Sequence, residues 1–87
     1  MNGVRHKIFR FQDKRLRLVE YSSDMEPHWC ERGHAGYILE GVFQIEFASG
    51  IEIFNAGDGI AIPAGPEHKH RATVSSETVR AVFVEDA

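Results

Sequence analysis

Two histidines and the only cysteine of the chain lie within seven positions, in the segment PHWCERGH that runs from Pro27 to His34. Imidazole nitrogens and a thiolate are ligands that divalent transition metals prefer. On a strand, His28 and Cys30 would point to one side, because side chains alternate between the two faces. His34 follows after a short turn. The segment therefore predicts one half of a metal site, and a further ligand must come from a distant part of the chain.

A second pair of histidines, His68 and His70, ends the segment GDGIAIPAGPEHKH. The glycines and Pro63 in this segment predict two sharp turns around a short strand at 60–62. If the next strand begins at His68, both imidazoles lie on one face, because residues i and i+2 share a side. We interpret His68 as the fourth candidate ligand and His70 as a candidate residue of the pocket wall.

Strands must position these segments, since apolar residues recur with a period of two over most of the chain. Alternating runs lie at 7–11, 15–21, 37–47, 51–54, 60–62, 68–74 and 78–86. Gly41 and the pair Ser49-Gly50 indicate tight turns. We expect eight or nine short strands, a number typical of an all-β sandwich or small barrel. The residues expected to form the apolar wall are Tyr37, Leu39, Phe43, Ile45, Phe47 and Phe83.

Composition narrows the function classes. A chain of 87 residues has room for one domain, over residues 1–87. Its ten basic and thirteen acidic residues give a net charge of −3, which argues against a nucleic-acid or membrane-surface binder. A single cysteine cannot form an intrachain disulfide. We expect a cytoplasmic protein, because the N-terminal residues lack the apolar core of a signal peptide and no apolar run is long enough to cross a bilayer.

The second segment resembles the second motif of the cupin family. That motif is a glycine, five residues, a proline, one residue, a glycine, two residues and a histidine. Gly57, Pro63, Gly65 and His68 match it in this chain. The asparagine that often follows in the family is replaced by Ala72.

The first segment has the spacing of the first cupin motif but differs in two residue types. His28 and Gly41 stand at the motif's first histidine and final glycine. Cys30 occupies the position of the usual second histidine, and His34 occupies that of the usual glutamate. The resemblance implies a double-stranded β-helix, or jelly roll, that binds one divalent metal through His28, Cys30, His34 and His68. The thiolate favours zinc or iron in this set, with copper or nickel as further candidates.

Two classes of function remain open at this stage. Cupins include dioxygenases, isomerases and lyases, so the first is a metal-dependent protein that acts on or senses a small molecule. The second is a non-catalytic binding or regulatory module with a closed structural zinc site or no metal. No catalytic residue can be assigned. Few charged residues occupy inward positions in the predicted strands, so we expect a mostly apolar or aromatic ligand. A homodimer is expected, because a small β-protein has exposed sheet edges.

Overall fold

The computed structural model describes residues 2–86. This part of the chain forms strands and one short 3₁₀ helix, Pro66–His68. The strands are β1 (Val4–Phe11), β2 (Lys14–Ser22), β3 (Trp29–Cys30), β4 (His34–Glu40), β5 (Val42–Phe47), β6 (Gly50–Asn55), β7 (Gly59–Ile62), β8 (His70–Val74) and β9 (Thr78–Asp86). No helix among residues 2–86 is long and apolar enough to span a bilayer.

The strands form two antiparallel sheets, which confirms the predicted jelly-roll fold. The five-stranded sheet has the order β1-β2-β9-β4-β7, and the four-stranded sheet has the order β3-β8-β5-β6. The last strand, β9, lies between β2 and β4, so the C-terminal segment is in the middle of the larger sheet. Strands that are distant in sequence are therefore neighbours in space.

The core lies between the two sheets and follows the two-residue alternation of the strands. Val79, Ala81 and Phe83 of β9 are buried together with Phe43 and Ile45 of β5. Burial of such side chains is the main source of stability in a chain of this size. Phe47, also expected in the wall, is partly buried against this core.

The expectation that Tyr37 and Leu39 belong to the apolar wall is wrong. Their exposed fractions are 59% and 49%, whereas Ile38 between them is fully buried. His34, the first residue of β4, faces inward, and residues of a strand alternate between its two faces. Tyr37 and Leu39 lie an odd number of residues from His34, so they point outward.

The expected start of β8 at His68 is also wrong. His68 ends the 3₁₀ helix, Lys69 caps it, and the strand begins at His70. The helix follows Gly65, which has a φ of 126° and therefore a conformation that favours glycine. This added turn moves the start of the strand by two residues and removes His68 from its inward face.

Candidate metal centre

Three potential metal ligands converge between the sheets. The side chains of Cys30, His34 and His70 each offer one ligand atom, and these atoms lie within 4.8 Å of one another. Cys30 and His70 face each other as paired residues of β3 and β8 in the four-stranded sheet. His34 comes from β4 in the other sheet. A metal held here would therefore link the two sheets.

Hydrogen bonds fix the ring nitrogens of both histidines. His34 Nδ1 donates to Oε2 of Glu85, and His70 Nδ1 donates to the carbonyl oxygen of His68 at 3.2 Å. A carbonyl and an ionised carboxylate can only accept, so Nδ1 carries the proton in each ring. In the neutral form of each ring, Nε2 then keeps a lone pair that can bind a metal, as in most histidine ligands whose second nitrogen is held by an oxygen.

The surroundings of His70 and of the Cys30 sulfur also suit a metal. Burial lowers the pKa of His70, and the nearby His34 and His28 lower it further, although the hydrogen bond to the backbone of His68 raises it. The neutral form, which can bind a metal, is therefore favoured. The sulfur of Cys30 accepts the backbone N–H of Arg32 at 3.4 Å. One thiol and two imidazoles with free lone pairs form a donor set that fits a divalent transition metal.

Only two of the four predicted ligands lie in the cluster. Cys30 and His34 lie in the cluster. His28 lies just before β3, is largely exposed and lines a cavity that opens beside the cluster. His68 is absent from the lining of that cavity, and its Nε2 lies 3.8 Å from Oε1 of Glu67. His70, expected only as a wall residue, occupies the place expected for His68.

Glu85 is a site residue that the sequence analysis missed. Its side chain is fully buried, and Oε1 accepts a 2.8 Å hydrogen bond from Nε of Arg15. Oε2 lies 3.0 Å from Nη2 of Arg17 and also accepts from His34. A signal was present, because the alternation of Val79, Ala81 and Phe83 in β9 continues inward to position 85.

The buried carboxyl group of Glu85 is ionised. Burial by itself would raise its pKa, but the hydrogen bond from His34 and the charge of Arg17, with a smaller contribution from the hydrogen bond of Arg15, outweigh it and lower the pKa to about 2. Glu85 therefore acts as an acceptor for both arginines and for the imidazole. The expectation that few charged residues point inward is wrong at this position and at Arg15 and Arg17.

A cavity of about 330 Å³ opens beside the three potential ligands. Its apolar wall includes the buried side chains of Phe43, Ile45 and Phe83. Its polar wall includes Arg15 and Arg17 together with the potential metal ligands. The volume lies at the lower end of the range of about 300–1,000 Å³ that is usual for small-molecule sites.

Comparison with known proteins agrees with this architecture. The family model described as "Cupin domain" matches residues 15–85. The chain therefore belongs to the cupin family, and the predicted resemblance is confirmed. No curated protein matches the chain.

Solved structures with the same fold belong to proteins of different kinds. A cupin-2 domain containing protein from Shewanella frigidimarina is 20% identical with a TM-score of 0.76, over 95% of this chain and 80% of that one. A sugar phosphate isomerase from Silicibacter pomeroyi is 18% identical with a TM-score of 0.77, over 100% of this chain and 61% of that one. An HTH_3 family transcriptional regulator from Vibrio cholerae is 10% identical with a TM-score of 0.78, over 98% of this chain and 51% of that one. At these identities the likeness establishes the fold alone.

Proposed function

We propose that this cupin binds one divalent transition metal through Cys30, His34 and His70 and uses it to bind and act on a small molecule in the adjoining cavity. The observation that carries the proposal is the convergence of the three donors at the wall of that cavity. Zinc or iron suits one thiolate with two imidazoles, and copper and nickel accept the same donors. A reducing compartment such as the cytoplasm would keep the thiol available.

Three protein ligands leave a coordination position open, which is the usual arrangement of catalytic rather than structural zinc sites. A metal bound here would act as a Lewis acid on a substrate oxygen. The chain itself would supply the rest of the site. Glu85 orients the ring of His34, and the side chains of Phe43 and Phe83 exclude water from one side.

The four-residue ligand set expected from the sequence, His28, Cys30, His34 and His68, remains a prediction. The position of His70 in the cluster supports replacing His68 with His70. His28 lines the same cavity and is the candidate for a fourth ligand. Coordination by His28 would close the site and favour the second function, a regulatory module with a structural zinc. The shared fold of the transcriptional regulator is compatible with that alternative.

A homodimer is the second part of the proposal. Phe9, Leu16 and Val84 are paired across β1, β2 and β9 and form one exposed apolar row on the outer face of the five-stranded sheet. Such a row on a small protein favours association with a second copy. We expect wild type to sediment as a dimer and Leu16→Glu as a monomer. Ile51→Glu, on the exposed β6 of the other sheet, serves as the matched control and should remain a dimer.

Metal content tests the ligand assignment directly. Elemental analysis should find about one transition metal ion per wild-type chain and per His68→Ala chain, since His68 lies outside the cluster. His70→Ala should contain none. Retention by His70→Ala with loss in His68→Ala would restore the original set, and absence of metal from reconstituted wild type would refute the proposal.

Cobalt substitution distinguishes the two functions. The visible absorption of cobalt differs between four- and five-coordinate sites and reports the approach of a ligand. An open site predicts a changed spectrum when a small anion such as azide is added, and an identical response in His28→Ala. A spectrum that azide does not change in wild type, but does change in His28→Ala, would support the closed site.

A further inference from the structure

We propose that the ligand of this cavity carries a carboxylate, which binds the guanidinium group of Arg17. Another part of the same molecule faces the potential metal ligands. The inference rests on the proposed function only for that second contact. The carboxylate contact itself is made by Arg17, which is not a potential metal ligand.

The charge of the cavity wall is the first argument. Three arginines and four histidines line the cavity, and no aspartate or glutamate among residues 2–86 does so. The basic lining residues are His6, Arg15, Arg17, His28, Arg32, His34 and His70. The whole chain is acidic, with a net charge of −3, so the positive sign is a local property of the cavity. A concave site with one sign of charge attracts ligands of the opposite sign.

The second argument is an excess of positive charge in that wall, at Arg15 and Arg17. The guanidinium groups of Arg15 and Arg17 both pair with the one carboxylate of Glu85. Their side chains are only 16% and 13% exposed, so water screens them weakly. Two cations facing one anion leave one positive charge, which a singly charged ligand would neutralise.

The third argument is an unused donor. Arg17 Nε is buried and has no hydrogen-bond acceptor in the described part of the chain. Its Nη2 contacts Glu85 at 3.0 Å and the hydroxyl of Tyr21 at 3.4 Å. Buried donors are seldom left without an acceptor, because each one loses its hydrogen bonds to water. A ligand oxygen beside Arg17 would supply this acceptor once the guanidinium group turns toward the cavity that it lines.

Guanidinium geometry and the apolar part of the wall suit a carboxylate that is attached to an apolar body. A carboxylate matches the planar arrangement of arginine donors and brings a single charge. Phe43, Ile45 and Phe83 offer an apolar surface to the body of the ligand. Arg17 also contacts Glu85, which contacts His34, so a ligand on Arg17 lies close to the potential metal ligands.

Benzoate and its neutral isostere benzamide test the proposal by NMR titration of the zinc-loaded protein. We expect wild type to bind benzoate at least about tenfold more tightly than benzamide, because a charge-assisted hydrogen bond is lost in the amide. Arg17→Gln should lose this preference. Arg5→Gln removes an exposed arginine that pairs with Glu20 and should retain it. Equal binding of the two probes, no binding of benzoate, or an unchanged preference in Arg17→Gln would overturn the inference.

Two further measurements separate the contact from the metal and from folding. His70→Ala, which lacks a proposed metal ligand, should still prefer benzoate. A preference that disappears there but persists in Arg17→Gln would assign the anion to the metal and refute the role of Arg17. In wild type, the Nε–H resonance of Arg17 should move when benzoate is added and stay in place with benzamide. An unmoved resonance would also refute it, even where Arg17→Gln does not fold.

Discussion

The two polar clusters of this cupin are built in different ways. The potential metal ligands Cys30 and His70 belong to the four-stranded sheet, whereas His34 belongs to the five-stranded sheet. The cluster of Arg15, Arg17 and Glu85 lies entirely on neighbouring strands of the five-stranded sheet. One cluster therefore requires the sheets to pack together, and the other requires only the register of one sheet. The hydrogen bond from His34 to Glu85 joins them.

We expect the largest loss of stability from a substitution in the cluster of Arg15, Arg17 and Glu85. In Glu85→Ala, the mostly buried guanidinium groups of Arg15 and Arg17 lose their shared carboxylate. Removing one partner of a buried ion pair costs about 3–5 kcal/mol. We expect the free energy of unfolding to fall by that amount in urea denaturation of metal-free protein.

The neighbouring carboxylate provides the control for this measurement. Asp86 pairs with Lys14 at 2.6 Å, but the aspartate side chain is 83% exposed. Exposed ion pairs contribute little to stability, so Asp86→Asn should unfold at nearly the same urea concentration as wild type. Equal effects of the two substitutions would show that burial does not distinguish the pairs.

Metal should stabilise the packing of the two sheets. A ligand that binds only the folded state at 100 times its Kd adds about 2.7 kcal/mol to the free energy of unfolding. We expect a gain of this size when zinc is added to metal-free wild type, measured by urea denaturation. Cys30→Ala should gain little, because only the two imidazoles remain. The same gain in Cys30→Ala would contradict coordination by the thiolate.

The link between the clusters predicts an intermediate effect. Glu85→Gln keeps an oxygen acceptor near His34 but removes the negative charge. Loss of such an outer partner lowers metal affinity by about 10–100-fold in known sites. Competition with a chromophoric chelator should detect this change. Glu40→Gln, which alters the exposed carboxylate paired with Arg80 on the five-stranded sheet, is the matched control and should keep the wild-type affinity.

Sequence reasoning predicted the fold well because local patterns determine most of it. The two-residue alternation placed nearly every strand, and Gly41 with a φ of 88° forms the bend expected between β4 and β5. A Cβ at Gly41 would clash with the carbonyl oxygen of Thr78. The family spacing then identified the cupin fold. Both signals are read from residues close together in sequence.

The site was predicted only in part, because its remaining features depend on longer-range structure. The choice between His68 and His70 depends on the 3₁₀ helix Pro66–His68, which the motif spacing does not reveal. Glu85 meets Arg15 because β9 pairs with β2 in one register, across most of the chain. No local motif contains that pairing. The alternation of apolar residues in β9 extends to Glu85, but it does not identify the partners of that side chain.

The smallest predicted effect concerns a contact on the outer face of the four-stranded sheet, next to the potential metal ligands. Trp29 and Lys69 directly precede Cys30 and His70, and the ammonium group of Lys69 lies 5.2 Å from the centre of the indole ring. This contact supports β3, a strand of only two residues, against β8, together with the guanidinium group of Arg71, which lies 4.9 Å from the same ring. An exposed cation–π contact contributes about 0.5–1 kcal/mol.

Lys69→Ala should therefore weaken zinc binding by only about two- to fivefold, the change in affinity that corresponds to this energy. Chelator competition should also find unchanged affinity in Lys7→Ala, which removes an equal charge from β1 in the other sheet. Equal losses in the two variants would reveal a general effect of charge. A loss confined to Lys69→Ala would show that the metal site depends on the outer support of β3.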